Sequence, residues 1–182
     1  HNVEISGGKL VLCTTGDAIY DAETNDLSSA AGINSDGAVT INGGDITIKS
    51  TGKAGKGINA TTDLTISGGE VFVATTGKAD GNITISNGKL TIAATGKSDG
   101  AEGLECKKKL SISGGDINVY AYDDAISATE QLTIGNGTVY TYSSANDGID
   151  VNGTLTIDGG TVTAIGGQAP EGGIDVDVKG KF

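Results

Sequence analysis

The sequence contains no arginine, tryptophan or methionine, a single proline, and one histidine, His1. Each absence removes a class of function. With its only histidine at the terminus, the chain cannot build Ser-His-Asp or Cys-His catalysis or a histidine-rich metal centre. It has no arginine, and its 12 lysines face 23 acidic residues for a formal charge of −11. It therefore lacks the positive surface and guanidinium forks that hold phosphate backbones. Nucleic acid is not an expected partner, and no membrane insertion is expected either, since no apolar run approaches a spanning length. Two cysteines, Cys13 and Cys106, allow at most one bridge, too few for a disulfide scaffold. No charged and apolar leader opens the chain, so an export signal is expected to lie outside this stretch or to have been removed. Aromatics make up 4% and hydrophobic residues 36% of 182 residues, lean for a conventional core. Something other than large rings must hold the chain together.

Glycine is what the chain has in excess, with 31 residues, more than twice ordinary usage. It falls at regular places. A six-residue phrase recurs as Val3-Glu4-Ile5-Ser6-Gly7-Gly8, then from Val39, Leu64, Ile83, Leu110, Leu132 and Leu155, each copy ending in Gly-Gly or Asn-Gly. The final glycines are 36, 25, 19, 27, 22 and 23 residues apart, which means fixed strands joined by variable loops. Within each copy aliphatics alternate with Thr, Ser or Glu, the period-2 pattern of a strand with one buried face. The glycines that follow tolerate positive φ and turn the chain. A second strand begins at once, as in Leu10 and Leu12 or Ile46 and Ile48. A third, shorter element reads as a small residue followed by an aliphatic at Ala18-Ile19, Gly57-Ile58, Gly103-Leu104, Ala125-Ile126, Gly148-Ile149 and Gly173-Ile174.

Three short strands per repeat predict an all-β fold, a right-handed parallel β-helix (solenoid) of about seven coils. It forms a single domain over residues 1–182, with an insertion around 21–31 and with terminal capping segments expected to be missing. A hairpin-based sandwich would share the strand spacing but not one phrase repeated seven times. Calcium-loaded β-rolls need a Gly-Gly-x-Gly-x-Asp repeat that is absent here.

Stacked coils turn equivalent positions into columns. The first strand presents Glu4, Thr40, Thr65, Thr84, Ser111, Thr133 and Thr156, a hydroxyl ladder suited to an exposed strand. The second presents Val11, Thr47, Phe72, Thr91, Asn118, Tyr140 and Thr163, beside Cys13, Lys49, Ala74, Ala93, Tyr120, Tyr142 and Ile165. Tyr120, Tyr122, Tyr140 and Tyr142 thus share one face of two adjacent coils, a flat aromatic surface on which a sugar ring can stack, with Phe72 on the same side. Such tyrosines can equally do no more than stiffen a sheet. A further column, nine residues after each second glycine, contains Lys53, Lys78 and Lys97. Asp80 and Asp99 stand ready to balance the last two, as a solvated ion-pair face or as an anion-binding strip.

Acidic residues flank the third strand. Asp17, Glu102, Asp124 and Asp147 precede the small-aliphatic pair, and Asp21, Glu105, Asp150 and Asp175 follow the aliphatic. Carboxylates stacked this closely raise one another's proton affinity unless a cation intervenes. Oxygen ligands without His or thiolates select Ca²⁺ over Zn²⁺. The expected ligands are Asp123, Asp124, Asp147 and Asp150, with Asp17, Glu102 and Asp175 further along the same columns. A solvated acidic edge is the competing reading.

Together, the seven strand-Gly-Gly phrases, Asp-Gly-Ile-Asp at 147–150, Asp-Asp-Ala-Ile at 123–126 and Lys-Gly-Ile-Asn-Ala at 56–60 resemble a known family. It is that of the bacterial carbohydrate-binding β-helix proteins of cellulose-degrading clostridia, which are similar in fold to calcium-dependent pectate lyases. The resemblance implies calcium and plant-wall polysaccharide, cellulose-like or pectic, as ligands. The resulting expectation is a non-catalytic, secreted or cell-surface module that binds polysaccharide along one face, assisted or stabilised by Ca²⁺. Two alternatives stand beside it. One is an adhesin or fibre segment that self-associates end to end or links flanking domains. The other is a calcium-dependent polygalacturonate lyase with Lys53, Lys56, Lys78 or Lys97 as the base.

Overall fold

In the computed structural model, which describes residues 1–23, 26–97 and 101–177, each repeat phrase is a short strand with its aliphatics turned inward. These first strands are Val3–Ile5, Val39–Ile41, Leu64–Ile66, Ile83–Ile85 and Thr154–Ile157, together with the opening parts of two long strands, Lys109–Ala121 and Gln131–Ser143. They stack in parallel and in register, with Ile5, Ile41, Ile66, Ile85, Ile112, Ile134 and Ile157 forming one continuous inner row. The second strands are Lys9–Thr14, Asp45–Ser50, Glu70–Ala74, Lys89–Ala94, the closing parts of the same two long strands, and Thr161–Ile165. The third are Ala31–Ser35, Lys56–Ala60, Thr76–Ala79, Leu104–Cys106, Ile126–Ala128, Ile149–Val151 and Ile174–Val176. All three stacks are parallel, and the fold is the expected parallel β-helix.

The corner between first and second strands shows why the phrase ends in glycine. Gly8, Gly44, Gly69, Gly88, Gly115, Gly137 and Gly160 all have φ between 80° and 103°, a region that costs a Cβ-bearing residue energy. Adopting it lets the corner itself bond from coil to coil. Asp45, Glu70 and Lys89 each donate their N–H to the corner glycine carbonyl of the preceding coil at 2.8 Å. The interior is a column of small and medium aliphatics, with Ile85, Ile92, Leu110 and Ile112 each 1% exposed. Rings are not needed because the narrow lumen is filled by short side chains facing one another from three sides.

The third stack corrects the sequence reading in two places. In the first coil the aliphatic of the rung is Ile33, not Ile19. Ile33 is buried and pairs with Ile58, whereas Ile19 is 72% exposed and belongs to a hairpin in which Ile19–Asp21 runs antiparallel to Asp26–Ser28. Asp17 and Asp21 therefore do not flank a third strand. The physical reason is distance along the chain. Ile58, Leu104, Ile126 and Ile149 each stand six residues before the next phrase, as Ile33 does, but Ile19 stands twenty before it. The hairpin spans residues 19–28 and overlaps the stretch around 21–31. In the third coil Gly77 occupies the aliphatic position between Ile58 and Leu104, with a bulge after Thr76. Lys78 is thereby placed in the outward column of the third strand. Lys53 and Lys97 sit in loops, so the three lysines are not one column. Asp99 lies outside the described residues.

Stability should follow this inner row. Ile112→Ala, in mid-stack, is expected to cost about 2–5 kcal/mol in denaturant unfolding. Ile157→Ala, at the same row position but 43% exposed in the last coil, should cost less than about 1 kcal/mol. Equal losses would contradict a single continuous lumen.

Candidate functional site

The second-strand columns form as expected. Asn118, Tyr140 and Thr163 pair in one, and Ala93, Tyr120, Tyr142 and Ile165 in the other. Tyr120 and Tyr142 are 38% and 39% exposed and stand one above the other on neighbouring coils. Tyr140 packs diagonally against Tyr120, with ring centroids 5.6 Å apart and planes tilted by 46°, and is itself half-buried. That contact stiffens the exposed ring. Tyr122, half-buried, sits at the corner just beyond, where its N–H donates to the Ala94 carbonyl at 2.9 Å and its carbonyl accepts from Ala145 N–H at 3.0 Å. Phe72 belongs to the Tyr140 column but three coils away, about 14 Å at the spacing of stacked strands, and is not part of the tyrosine cluster. Ile165, which continues the Tyr120–Tyr142 column, is 39% exposed and adds apolar surface that sequence reading did not count as a site.

Beside this platform lies a feature the sequence did not announce. At the corner between the second and third strands, coils two to four enclose a trough of about 620 Å³, lined by Ala74, Thr75, Ala93 and Thr95 and by Lys53, Lys56, Lys78 and Lys97. It exists because the column that carries tyrosine in coils five and six carries alanine in coils three and four. Thr75 Oγ1 donates to the Gly55 carbonyl at 2.8 Å and ties two coils together here. A smaller polar recess of about 360 Å³ adjoins it, sharing Lys56 and Lys78 and including Asn34 and Asn59, whose amides bond at 2.8 Å. Lys78 pairs with Asp80 at 3.3 Å and with Glu105 at 3.7 Å. Burial, and after it the neighbouring Lys78 charge, hold the Lys56 amine below the usual lysine range.

The acidic residues take up structural work. Asp124 Oδ1 accepts the N–H of Asp147 at 3.0 Å, and Asp147 Oδ1 accepts the N–H of Gly172 at 2.6 Å, each carboxylate binding the backbone of the next coil. Asp123 accepts from Asn146 Nδ2 at 2.9 Å, and Asp17 from the N–H of Lys53 at 2.7 Å. Glu102 lies in the fourth coil and Asp175 in the seventh, so the seven candidate ligands span most of the rod. Among the described residues no three His, Cys, Asp or Glu side chains come together to hold a metal ion. One oxygen each of Asp17, Asp123, Asp124 and Asp147 is engaged by an amide.

Crowding still shows in proton affinity. Burial pushes Asp124 up to about 7, aided by the charges of Asp150, Asp123 and Asp147 and opposed by the Asp147 N–H. Burial and then Asp147 and Asp175 raise Asp150. Burial and the Glu105 charge push Glu102 up to about 8. Burial would raise Glu105 too, but the ion pair with Lys107, together with Lys78, holds it below the ordinary carboxylate range.

Comparison with known proteins gives one finding. A family model described as "Carbohydrate-binding domain-containing protein" matches residues 1–148. No curated protein and no solved structure matches the chain.

Asp124 and Glu102 hold their protons more tightly in the folded chain than in the unfolded one, where carboxyls titrate near about 4. The folded state therefore binds more protons from about pH 4 up to about 7–8, and stability is lost as pH rises through that window. The melting temperature is expected to be higher at about pH 5.5 than at about pH 8.5. Asp124→Asn, which keeps an acceptor for the Asp147 N–H, should raise the melting temperature at the higher pH and narrow the difference. A melting temperature that climbs from pH 5.5 to 8.5 would contradict the assignment.

Proposed function

The chain belongs to the family of carbohydrate-binding domain-containing proteins, and from that premise we propose that it is a non-catalytic module gripping a polysaccharide on the face that carries Tyr120, Tyr140 and Tyr142. The observation that carries this reading is the in-register pair Tyr120 and Tyr142, each more than a third exposed on a rigid sheet. The core does not use these two rings, and more than a third of each remains open to solvent. A sugar ring presents an apolar C–H face with a hydroxyl rim. It can cover such a tyrosine without stranding its own polar groups.

The lysines favour an acidic, pectin-like chain over a neutral one. In a molecule with a net charge of −11, Lys53, Lys56, Lys78 and Lys97 gather at one trough that also includes Glu105, the partner of Lys78, and there the exposed Lys53 and Lys97 would hold a uronate carboxylate by charge-assisted hydrogen bonds. Such polymers lie outside cells, so the module is proposed to act after secretion or at a bacterial surface.

Binding to insoluble cellulose and to polygalacturonate, measured by depletion and by affinity electrophoresis, tests the reading. Tyr120→Ala and Tyr142→Ala are each expected to weaken binding about tenfold, near 1.4 kcal/mol. Affinity unchanged by both would overturn it. Calcium does not enter this reading. Melting curves in calcium and in EDTA are expected to coincide, and a calcium-dependent rise would return a cation to the acidic corner.

A further inference from the structure

We propose that the tyrosine platform and the lysine-lined trough are one continuous track, occupied by a single linear 1,4-linked polysaccharide chain that runs along the solenoid axis with about one sugar ring on each coil. The proposal rests on the carbohydrate-binding reading above and adds the direction, the footprint and the second half of the site.

The first argument is continuity. Ala93 pairs with Tyr120, Tyr120 with Tyr142, and Tyr142 with Ile165, and Ala74 occupies the same offset in the third coil. Platform and trough are therefore the same column seen at two side-chain sizes. Where the column has tyrosine the surface rises, and where it has alanine the missing ring volume opens the trough. A chain lying along the axis steps from ring to ring on Tyr142 and Tyr120 and then descends onto Ala93 and Ala74.

The second argument is spacing. Stacked strands repeat at about 4.8 Å, and a 1,4-linked pyranose advances by nearly the same length. A chain along the axis thus meets about one coil per ring, whereas a chain laid along a strand would cross this column once. Repeated weak contacts in one ligand sum without any single tight pocket.

The third argument is the difference in chemistry between the two halves. The platform offers ring faces. The trough offers small, half-buried alanines as a floor, with the exposed Lys53 and Lys97 on its lining. Stacking holds the chain at one end and charge holds it at the other, so a carboxylate-bearing chain gains from every coil it covers.

The test is a length series, disaccharide to octasaccharide, of oligogalacturonates and of cello-oligosaccharides, titrated calorimetrically against the intact chain. Affinity for the uronate series should rise with length and level off at about five to six units, the number of coils from trough to platform. Ala93→Glu, and separately Ala74→Glu, place a repelling carboxylate in the trough from outward-facing positions. Each should remove the gain from the longer oligomers by about tenfold or more while leaving the melting temperature unchanged. A plateau at two or three units overturns the single track. So does an unchanged length dependence in a variant that melts as the parent does. Failure of the underlying reading looks different, because then no oligomer of any length binds. Equal length dependence for the neutral series would keep the track and remove the role of the lysines.

Discussion

Every feature of this molecule depends on parallel hydrogen bonding of each coil to the next at a spacing of about 4.8 Å. The constraint extends beyond the strands to the corners, where Asp45, Glu70, Lys89 and Asp116 donate to glycine carbonyls one coil back. A backbone satisfied at corners as well as along strands cannot slip by one residue without losing its whole ladder and turning its aliphatics outward. Register is thus held in two ways, and the seven glycines of positive φ are what permit the second. Length is free only where no strand is at stake, which is why the spacing between phrases varies and a hairpin can be accommodated in the first coil.

This constraint also decides what could be read from sequence. The first- and second-strand columns were legible because a phrase with a fixed glycine gives an offset, and an offset in a stacked fold is a position. Tyr120 over Tyr142 and Asn118 beside Tyr140 follow from counting. The third strand was less legible because it has no glycine corner of positive φ to count from. Ala18-Ile19 imitates the small-aliphatic pair that Gly32-Ile33 supplies, and only the six-residue distance to the next phrase separates them. Gly77 broke the pattern in the other direction by standing where an aliphatic was expected. The trough was not legible because it consists of absent volume. Ala74 and Ala93 have no chemistry of their own, and their meaning appears only beside Tyr120. The acidic residues of the corner were legible as neighbours, and their backbone partners were not. Their partners, the N–H groups of Asp147 and Gly172, belong to the following coil and are invisible in a list of side chains.

Charge illustrates the cost of stacking. Along the start of the second strands, Lys9 pairs with Asp45 at 3.2 Å and Lys89 with Glu70 at 3.1 Å, so the adjacent acids Asp45 and Glu70 each have a lysine on the outer side and that ladder is compensated, if weakly, at an exposed surface. The corner of coils four to six stacks acids without interleaved lysines. Glu102, Asp124 and Asp147 occupy equivalent places, and the first two are pushed well up in proton affinity. Burying carboxylates beside one another is unfavourable. Here it is offset by the amides that Asp124 and Asp147 accept from, which would otherwise be unsatisfied at a turn between coils. The acidic corner is therefore a device for closing the solenoid, and its raised proton affinities are the residue of that compromise.

The same geometry separates folding from recognition. Inward positions are filled by aliphatics that touch only the lumen, and outward positions on the same strands are free to vary, since nothing in the core requires Tyr120 rather than the Ala93 beneath it. Nor does a binding residue in this fold need a loop to position it. A tyrosine on a central strand of a seven-rung stack is held by neighbours above and below, so little conformational freedom remains to be lost when a ligand covers it. Recognition built this way has no reason to concentrate in a pocket. It is spread along a column, each coil contributing a weak contact at a spacing that a polymer can match. A chain with so few aromatics can use them to effect because it places four of them within two adjacent turns.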